Sequence, residues 1–552
     1  MTYQIVPESA PFSVEQRAWL NGFLAGVLGV LDQQSAQGAS AAALAAAASQ
    51  LSPPLGAGSQ SGQESEESFP WHDPSLPIAD RMMLADGMPK QRRLMAAMAQ
   101  LNCGSCGYLC KTYSEAIASG SEKNLKLCSP GGNETAKELR NLMKESPTQI
   151  AVSAKGNTRP IEPTQAAPGT RDNPVHAKLI ASDKLNGPGS AKDTRHVAID
   201  LNGSGLSYRV GDALGLWPTN CEALVTRVLE TAKLDTSARV STNGLESQMQ
   251  TDPILESLAG KCLRTITPEL LAVAIECVRN RPKQNGAVAH DAELIARLKA
   301  FGDSDDFHEW DVLEFLEAFP SLRFKAQQFV DALDPQRPRL YSIASSQSLF
   351  PTQVHLTVGR VEKTVRNRHR KGVASTMLAD RLQSKSPLRV FIQPSHGFTI
   401  PADPMAPMIM VGPGTGIAPF IAFLQQRQVD KATGRNWLFY GDQKKASDFL
   451  YREQLESWQT SGLLAKLDLA FSRDDASKVY VQHRMLEKGA ELFAWLESGG
   501  YFYVCGDASK MAVDVDSALQ EVITVHGKKT KAETKQYLVT LANSKRYVRD
   551  VY

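Results

Sequence analysis

The stretch Met410-Val-Gly-Pro-Gly-Thr-Gly-Ile-Ala-Pro-Phe420 joins an apolar run to a segment with helical periodicity. Gly412, Gly414 and Gly416, with Thr415 between the last two, leave the backbone of this turn open to close approach by a pyrophosphate. The start of the following helix would favour the negative charge of that group. A glycine-rich turn is a weak signal when it stands alone, so the sequence around it decides the fold.

Strands and helices alternate around this turn. Apolar, strand-like segments at 408–411, 437–440, 467–471 and 501–504 are interleaved with helical segments at 417–428 and 508–526. Such alternation is typical of a doubly wound parallel sheet with helices on both faces. We therefore expect an α/β dinucleotide-binding domain at 403–552.

The pattern changes upstream of residue 403. Short segments rich in β-branched residues at 196–200, 354–358 and 388–392 predict an antiparallel β-barrel across 171–402, and a helical insertion at about 221–330 interrupts it. The predicted fold is therefore multidomain, with an α+β part and an α/β part.

A second set of residues suits a flavin. Arg339-Leu-Tyr341-Ser342 opens a predicted strand, and these side chains can clamp a pyrophosphate, stack on an isoalloxazine and hydrogen-bond flavin N5, respectively. The segment Gly372-Val-Ala-Ser375 begins a helix and offers backbone amides to the same diphosphate. Cys505 ends a strand at the sheet crevice, where a functional cysteine and a core cysteine are the two alternatives.

A third set suits a phosphorylated ribose. Ser472-Arg473-Asp474 follows one of the strands, and Lys478-Val-Tyr480-Val-Gln482 comes shortly after. A hydroxyl, a guanidinium and an ammonium suit a 2′-phosphate, whereas an NAD site normally presents a carboxylate to the 2′-hydroxyl. NADPH is therefore favoured over NADH, and a solvated surface loop is the alternative.

Four cysteines cluster near the N-terminal end: Cys103, Cys106, Cys110 and Cys128. Three crowded thiolates with a distant fourth favour an iron–sulfur cluster, whereas structural zinc sites usually consist of two separated Cys-x2-Cys pairs. Zinc and buried structural thiols remain alternatives. The cysteines lie in a small module at 71–145, where a metal would help to stabilise a small core.

Flexible linkers are predicted on both sides of this module, at 35–70 and 146–170, from their Ala, Ser, Thr, Gly and Pro content. An N-terminal segment at 1–34 contains an amphipathic helix at 13–32. Its apolar stripe would dock on this protein, on a second copy or on another partner.

Composition excludes several classes of protein. The 552 residues carry a net charge of +2, so no electrostatic attraction to nucleic acid or membranes is implied. Cys221, Cys262 and Cys277 are scattered, which favours reduced thiols over a disulfide framework. We find no secretory signal and no apolar segment long enough to span a bilayer, and we therefore expect a soluble cytoplasmic protein.

From about Thr170 onward the chain resembles the ferredoxin–NADP reductase family and, within it, the diflavin reductases that serve NADPH-dependent sulfite reduction. The motifs that carry this resemblance are Arg339-Leu-Tyr-Ser, the turn at 412–420, Ser472-Arg-Asp, Lys478-Val-Tyr-Val-Gln, Tyr503-Val-Cys-Gly-Asp507 and Arg549-Asp-Val-Tyr552. The cysteine stretch resembles the small 4Fe–4S module of bacterial electron-transfer complexes and corrinoid proteins.

The resemblance implies roles for individual residues. All four clustered cysteines would bind a 4Fe–4S cluster, and Ser342, Cys505 and Asp550 would line the hydride-transfer site. FAD would be held by the following residues: Arg339, Leu340, Tyr341, Ser342, Thr357, Val358, Gly359, Gly372, Val373, Ala374, Ser375 and Tyr552. NADPH would be held by the turn at 412–416 and by the following residues: Ser472, Arg473, Lys478, Val479, Tyr480, Val481, Gln482 and Asp514.

Two departures from the family pattern matter. Lys363 stands where an aromatic residue is expected near the flavin adenine. The FMN-binding flavodoxin domain expected before the second linker is missing from 71–145, where the cysteine module stands instead. We therefore expect FAD, NADPH and a 4Fe–4S cluster, without FMN.

The implied function is electron transfer from NADPH through FAD and the cluster to a partner, for which a sirohaem sulfite reductase of cysteine biosynthesis is favoured. An assimilatory nitrate or nitrite reductase is an alternative partner. A plain NADPH diaphorase with a structural or regulatory module is an alternative of another class. The basic run at 363–371 would dock an acidic partner or form a solvated hairpin, and the hairpin is favoured.

Overall fold

The computed structural model describes residues 71, 77–100, 108–128, 131–144, 167–242, 250–282, 287–304, 307–395 and 397–552. The predicted N-terminal helix at 13–32, the linker at 35–70 and most of the linker at 146–170 lie outside these residues, and so do Cys103 and Cys106. In the described parts of the chain, no helix is long and apolar enough to cross a membrane.

Helices dominate the first part of the described chain, and both kinds of element follow. The helices, in chain order, are α1 Ile78–Leu84, α2 Lys90–Ala96, α3 Cys110–Ser119, α4 Gly132–Lys144, α5 Glu222–Ala232, α6 Ile254–Ala259, α7 Pro268–Arg279, α8 Ala287–Gly302, α9 Val312–Ala318, α10 Ala326–Asp331, α11 Val373–Thr376, α12 Ala418–Val429, α13 Lys445–Asp448, α14 Arg452–Thr460, α15 Val481–Glu487, α16 Gly489–Glu497, α17 Met511–His526 and α18 Lys531–Asn543.

The strands form two large sheets and two hairpins. In chain order they are β1 Val175–Lys184, β2 Thr194–Asp200, β3 Ala213–Trp217, β4 Arg239–Thr242, β5 Gln250–Pro253, β6 Arg339–Ser342, β7 Gln353–Gly359, β8 Glu362–Val365, β9 Arg368–Lys371, β10 Pro387–Gln393, β11 Met408–Val411, β12 Asn436–Asp442, β13 Lys466–Phe471, β14 Tyr501–Gly506 and β15 Tyr547–Val551.

The cysteine module is helical where it is described. Helices α1 to α4 enclose a small core that contains Leu94, Tyr113 and Leu139 together with Cys110 and Cys128. Helix α3 begins at Cys110 and is followed by Gly120 in the left-handed conformation, with φ of 78°, which suits a residue without Cβ. The two described cysteines therefore face the inside of the module.

The barrel consists of six antiparallel strands in the order β6-β3-β10-β1-β2-β7. An antiparallel bridge between Ile343 and Leu356, and the 2.8 Å hydrogen bond from the Ala344 N–H to the His355 carbonyl, join the two outer strands. Apolar side chains of all six strands fill the interior, for example Ile199, Leu216 and Val390. Closure of the sheet removes its edges and fixes the positions of β6 and β7.

The insertion in the barrel is helical, as predicted, but it also contains an antiparallel hairpin. Helices α5 to α10 share one apolar core. The hairpin of β4 and β5 lies between α5 and α6 and was not predicted. Strand β4 has only four residues. A strand this short gives little periodicity from which to recognise it.

The second sheet is parallel throughout, in the order β13-β12-β11-β14-β15. Four of its strands were predicted, whereas β15 was not. The C-terminal segment, from which the sequence predicts only Asp550 and Tyr552 as site residues, also extends the sheet beside β14. Helix α17 begins at Met511 rather than at 508, because the Asp507 carboxylate accepts hydrogen bonds from the Lys510 and Met511 N–H groups at 2.7 and 3.2 Å.

The basic run at 363–371 forms the hairpin of β8 and β9. Its cations pair with the helical insertion: Arg368 with Glu317, and Arg370 with Asp311 and Glu314. These ion pairs favour the hairpin interpretation over a docking surface for an acidic partner.

Candidate functional site

Two pockets lie where the barrel and the parallel sheet meet. The first has a volume of about 340 Å³, which is within the range of small-molecule sites. Strands β6 and β7, the glycine-rich turn and the C-terminal strand all contribute to it. Its lining includes Leu340, Tyr341, Ser342, Thr357, Gly359, Thr415, Asp550 and Tyr552.

Ser342, Cys505 and Asp550 come together at this pocket. The Ser342 hydroxyl donates a 2.6 Å hydrogen bond to Asp550 Oδ2, and the Cys505 thiol points to the same oxygen at 3.8 Å. The sheet register explains part of this arrangement, because Cys505 of β14 lies directly beside Asp550 of β15. Ser342, at the end of β6, is brought in from the barrel.

The protonation of this triad is set by burial. Burial raises the pKa of Cys505 well above its usual value, and the Asp550 carboxylate adds to that effect. The thiol is therefore neutral and serves as a donor. Burial also raises the pKa of Asp550, while hydrogen bonds from Ser342 and Cys505 oppose that shift.

Two tyrosines give the first pocket its aromatic character. The Tyr552 and Thr415 hydroxyls share a 2.8 Å hydrogen bond, and the Tyr552 N–H donates to the Gly506 carbonyl at 3.0 Å. The C-terminal ring is thus held against the glycine-rich turn. Burial strongly raises the pKa of Tyr341, so its ring stays neutral. Flat neutral rings with nearby hydroxyls fit an isoalloxazine, which needs stacking faces and hydrogen-bond donors.

The residues predicted for the flavin diphosphate lie outside this lining. Arg339 donates hydrogen bonds to the carbonyls of Arg337 and Pro338 at 3.3 Å each. The Gly372 N–H donates to the Val361 carbonyl at 2.8 Å, so it is not available to a phosphate. The first amides of α11, at Val373, Ala374 and Ser375, have no acceptor within the helix.

Two of the predicted flavin residues face elsewhere. Val358 and Ala374 are buried in the barrel core. Any contact that they make with a ligand would therefore come from their backbone. A sequence motif predicts that a residue lies at the ligand, but it does not show whether the backbone or the side chain makes the contact.

The second pocket has a volume of about 430 Å³ and lies at the carboxyl ends of the parallel strands. This is where open α/β sheets bind ligands. Several predicted nucleotide residues line it: Gly414, Ser472, Tyr480, Val481, Gln482 and Asp514. Gln482 Nε2 donates to Asp514 Oδ2 at 3.1 Å. Arg473 and Lys478 are exposed on the loop between Ser472 and Tyr480.

The glycine-rich turn packs tightly on the sheet. A Cβ at Gly416 would lie 2.1 Å from the Cys505 carbonyl oxygen, so only glycine fits where the turn crosses β14. Gly414 has a φ of +59° and begins the helical turn Gly414–Ile417. The turn thus brings its backbone close to both pockets.

Sequence reasoning missed several residues of the second pocket, among them Lys192 and Asp442. Lys192 lies between β1 and β2 of the barrel, and its ammonium is 2.5 Å from Asp442 Oδ1 at the end of β12. A carboxylate directly after an apolar strand was a usable signal for Asp442. No local pattern marks Lys192, because only the tertiary structure brings the barrel loop to the sheet.

The cysteine module offers two described thiols. Cys110 and Cys128 are each 9% exposed and belong to one apolar core. A Cβ at Gly131 would lie 2.2 Å from Thr135 Oγ1 and 3.0 Å from Cys128 Sγ, so glycine fits best where the chain passes both side chains. Within the described residues, no group of three His, Cys, Asp or Glu side chains is arranged to hold a metal, and Cys103 and Cys106 fall outside those residues. The donor type and the burial of the two described thiols fit a cluster.

The module contacts the barrel at the first pocket. Leu109, the residue before Cys110, is part of the pocket lining. Beside it, the Arg171 guanidinium lies 3.5 Å from the centre of the Tyr108 ring. Glu122 and Arg337 form an ion pair at 3.9 Å. The start of α3 therefore lies directly against the pocket.

Comparisons with known protein families agree with this division of the chain. Residues 167–377 match the FAD binding domain, and residues 410–517 match the oxidoreductase NAD-binding domain. The antiparallel sheet is therefore a FAD-binding domain, and the parallel sheet of five strands is a nicotinamide-nucleotide domain.

Curated relatives cover both domains. The chain is 43% identical over 383 residues to the sulfite reductase (NADPH) flavoprotein alpha-component of Mannheimia succiniciproducens, covering 69% of this chain and 62% of that protein. The protein of the same name from Bacillus subtilis is 41% identical over 388 residues, again covering 69% and 62%. That from Aliivibrio fischeri is 40% identical over 421 residues, covering 76% and 67%.

The match is partial on both sides. The chain spans 62% of the length of the first of these relatives and 67% of the last. The match to the Aliivibrio fischeri protein covers 76% of this chain, so part of the chain lies outside it.

Proposed function

The chain belongs to the family of sulfite reductase (NADPH) flavoprotein alpha-components, and from this we propose that it passes electrons from NADPH through FAD and a 4Fe–4S cluster to a partner reductase. The favoured partner is a sirohaem sulfite reductase that converts sulfite to sulfide. The FAD and nicotinamide domains support the first half of this path. The cysteine module, which we propose takes the place of the family's FMN domain, supports the second half.

The residues of the first pocket prepare hydride transfer. Ser342 would place its hydroxyl at flavin N5, and Asp550 and Cys505 would steady the nicotinamide from the other side of the same hydrogen-bonded group. Tyr552 would cover the ring until the nicotinamide displaces it, while its hydroxyl keeps the side chain near Thr415. Bound FAD would accept two electrons as hydride and release them one at a time.

The position of Leu109 is the observation that carries the proposed path. Leu109 lines the flavin pocket, and Cys110 follows it directly as the first residue of α3. One of the four proposed cluster ligands is thus one residue away from the pocket wall. Such proximity would allow electrons to leave the flavin through the module without a further carrier.

The charged and aromatic contacts beside Leu109 support a docked arrangement of the module. The Tyr108–Arg171 contact and the Glu122–Arg337 ion pair are both between the module and the barrel domain. Pairs of this kind are weak, each contributing about 1 kcal/mol or less. We propose that the module docks here to receive electrons and swings on its linkers to deliver them.

Replacement of the cluster ligands tests the proposal. In Cys110→Ser/Cys128→Ser enzyme, we expect NADPH-driven reduction of ferricyanide to continue and NADPH-driven sulfite reduction by the haemoprotein to be lost. Cys277→Ser, outside the module and both pockets, is the matched control and should retain both activities. Iron and acid-labile sulfide are measured in each variant.

The result distinguishes the alternatives. Sulfite reduction that persists without the cluster would make the module structural or regulatory and would contradict the proposed path. Support of a nitrite reductase but not of the sulfite reductase haemoprotein by the wild-type enzyme would move the partner to the assimilatory nitrogen enzymes.

A further inference from the structure

The structure assigns a nucleotide-binding role to Lys192: we propose that this barrel residue binds the pyrophosphate of the nicotinamide dinucleotide and that Asp442 positions it. The inference rests on the proposed function, because it takes the second pocket as the NADPH site. It adds a binding residue from the FAD-binding domain to a site otherwise built from the parallel sheet.

Lys192 reaches the second pocket from outside the nucleotide domain. It belongs to the loop between β1 and β2, whereas the other lining residues lie in or after the parallel strands. Its ammonium pairs with Asp442 Oδ1 at 2.5 Å. The Asp442 side chain is 1% exposed, whereas that of Lys192 is 38% exposed. The carboxylate is therefore buried, and the lysine that pairs with it lines the pocket.

The loop that carries Lys192 is fixed to the nucleotide domain. The Ser190 hydroxyl and the Asn186 amide both donate to Asp448 Oδ1, the latter at 2.9 Å. The Lys192 N–H in turn donates to Ser190 Oγ at 2.9 Å. Asp448 is fully buried, so these bonds hold the loop in one place. Lys192 is therefore positioned before any ligand arrives.

The glycine-rich turn lies directly opposite the ion pair. A Cβ built at Gly414 would be 3.8 Å from Lys192 Nζ and 3.8 Å from Asp442 Oδ2. This turn is the part of the fold that approaches a dinucleotide pyrophosphate most closely. An ammonium at this distance from the Gly414 backbone is within reach of a phosphate that rests on the turn.

The charges of the pocket make this ammonium necessary. Three carboxylates line the pocket, Asp442, Asp507 and Asp514, against two ammonium groups, Lys192 and Lys510. The Asp507 carboxylate accepts hydrogen bonds from backbone N–H groups, and the Asp514 carboxylate accepts one from Gln482. Without Lys192, the uncompensated Asp442 carboxylate would stand beside a pyrophosphate that carries two negative charges. Lys192 neutralises Asp442 and still presents N–H donors to the ligand, since an ammonium carries three.

Asp442 is suited to position the lysine rather than to contact the ligand. Burial raises its pKa, and the Lys192 ammonium opposes that shift. Its Oδ1 also accepts the Gln443 N–H at 2.7 Å, which fixes the carboxylate at the end of β12. The same pair has a simpler interpretation as an ion pair that fastens the two domains together, and the test must separate these roles.

Binding measurements on FAD-loaded enzyme distinguish a nucleotide-binding role of Lys192 from a purely structural ion pair. Isothermal titration calorimetry with NADP⁺, and competition by NAD⁺ against it, are compared for wild type, Lys192→Ala, Asp442→Asn and the control Lys184→Ala, an exposed lysine at the end of β1. Thermal unfolding without nucleotide is measured for each. These readouts do not involve the cysteine module or electron transfer.

We expect Lys192→Ala to weaken binding of NADP⁺ and NAD⁺ alike by about tenfold or more, since both carry the pyrophosphate and a hydrogen bond to a charged group is lost. Lys184→Ala should match the wild type. Asp442→Asn should weaken binding of both nucleotides less than Lys192→Ala does, because the amide oxygen can still accept a hydrogen bond from the Lys192 ammonium but holds it less firmly than a carboxylate.

Unchanged binding in Lys192→Ala would overturn the inference. So would a loss of affinity confined to NADP⁺, which would mean that the lysine contacts the 2′-phosphate. Equal losses of affinity and of melting temperature in Lys192→Ala and Asp442→Asn would also overturn it, because the ion pair would then only join the two domains. A wild-type enzyme that binds neither nucleotide would instead refute the proposed function itself.

Discussion

Ser342 and Asp550 show how two domains build one hydrogen-bonded group. The hydroxyl comes from the end of a barrel strand and the carboxylate from the last strand of the parallel sheet, and a 2.6 Å hydrogen bond joins them. Neither residue stands near the other in sequence. A shift of one sheet relative to the other by about one ångström would break this hydrogen bond. Displacements of that size cause large losses of rate where groups must be precisely oriented.

Ser342→Ala removes the hydroxyl proposed to lie at flavin N5. We expect flavin reduction by NADPH, followed by stopped-flow absorbance, to slow by about 100-fold, as for loss of one preorganised donor. FAD content and melting temperature should stay close to those of the wild type, because alanine fits the same space. Ser342→Thr, which keeps a hydroxyl, is the matched control. A rate unchanged in Ser342→Ala would remove this residue from the hydride-transfer site.

At the residue scale, sequence motifs predicted which three side chains lie together better than they predicted the residues of the second pocket. Ser342, Cys505 and Asp550 were all expected at one site, and the structure brings their side chains together. Lys192 and Asp442 were missed, because a loop–sheet contact between residues 250 positions apart leaves no local pattern. Roles that depend on tertiary contacts alone cannot be obtained from spacing.

The glycine-rich turn and β14 are in close contact near the site. Because a Cβ at Gly416 would lie 2.1 Å from the Cys505 carbonyl oxygen and 2.8 Å from its carbonyl carbon, Gly416→Ala must displace backbone. We expect a loss of about 1–3 kcal/mol in the free energy of unfolding, as for overpacking, together with weaker NADP⁺ binding. Urea unfolding measures the first quantity and calorimetry the second.

Gly260→Ala is the control for this substitution, because its added Cβ would make only an ordinary contact at 3.6 Å with the Ser257 carbonyl oxygen. Equal stability of the two alanine variants would show that the turn can move away from β14 without cost. The contact would then not constrain the site.

A buried histidine pair in the barrel makes stability depend on pH. Burial, and then the neighbouring His196, lower the pKa of His355 from 6.5 to about 4. The unfolded chain therefore takes up a proton below pH 6.5, while the folded barrel does so only near pH 4. Stability from this group is complete above pH 6.5 and is lost as the pH falls to 4, by on the order of 3 kcal/mol in total.

His355→Gln should flatten this dependence. We expect its melting temperature to fall less than that of the wild type between pH 7 and pH 5, as measured by calorimetry at constant ionic strength. His176→Gln, at an exposed position of β1, should keep the wild-type slope. An unchanged slope in His355→Gln would assign the acid sensitivity of the protein to other groups.

At the element scale, the sequence predicted long periodic segments and missed short or terminal ones. Four strands of the second sheet and the helices at 417–428 and 508–526 were expected at nearly their observed bounds, whereas α13 to α16 and α18 were not predicted. The hairpin of β4 and β5 and the C-terminal strand β15 were not expected, since a strand of four or five residues offers too few repeats. Parallel pairing of β15 depends on β14, which is 40 residues away in sequence.

At the scale of the whole molecule, the cysteine module contacts the barrel domain through the ion pair of Glu122 and Arg337. Glu122→Arg replaces the 3.9 Å ion pair by two cations at the interface, the new arginine and Arg337. We expect electron transfer from reduced flavin to the module to slow by about threefold to tenfold, because the ion pair is lost and the two like charges repel each other. Freeze-quench electron paramagnetic resonance measures this rate.

The double variant Glu122→Arg/Arg337→Glu restores opposite charges and should recover most of the rate. Recovery would not occur if the single substitution acted by unfolding the module. A rate in Glu122→Arg equal to that of the wild type would mean that electron transfer uses another arrangement of the module.

The most direct test of the central claim is anaerobic reduction of the FAD- and iron-loaded protein with NADPH, followed by electron paramagnetic resonance at low temperature. We predict that flavin bleaching is accompanied by the signal of a reduced 4Fe–4S cluster with about one spin per chain, and that Cys110→Ser/Cys128→Ser enzyme bleaches its flavin without that signal. A fully reduced flavin with no cluster signal in the wild-type protein would contradict the proposed path.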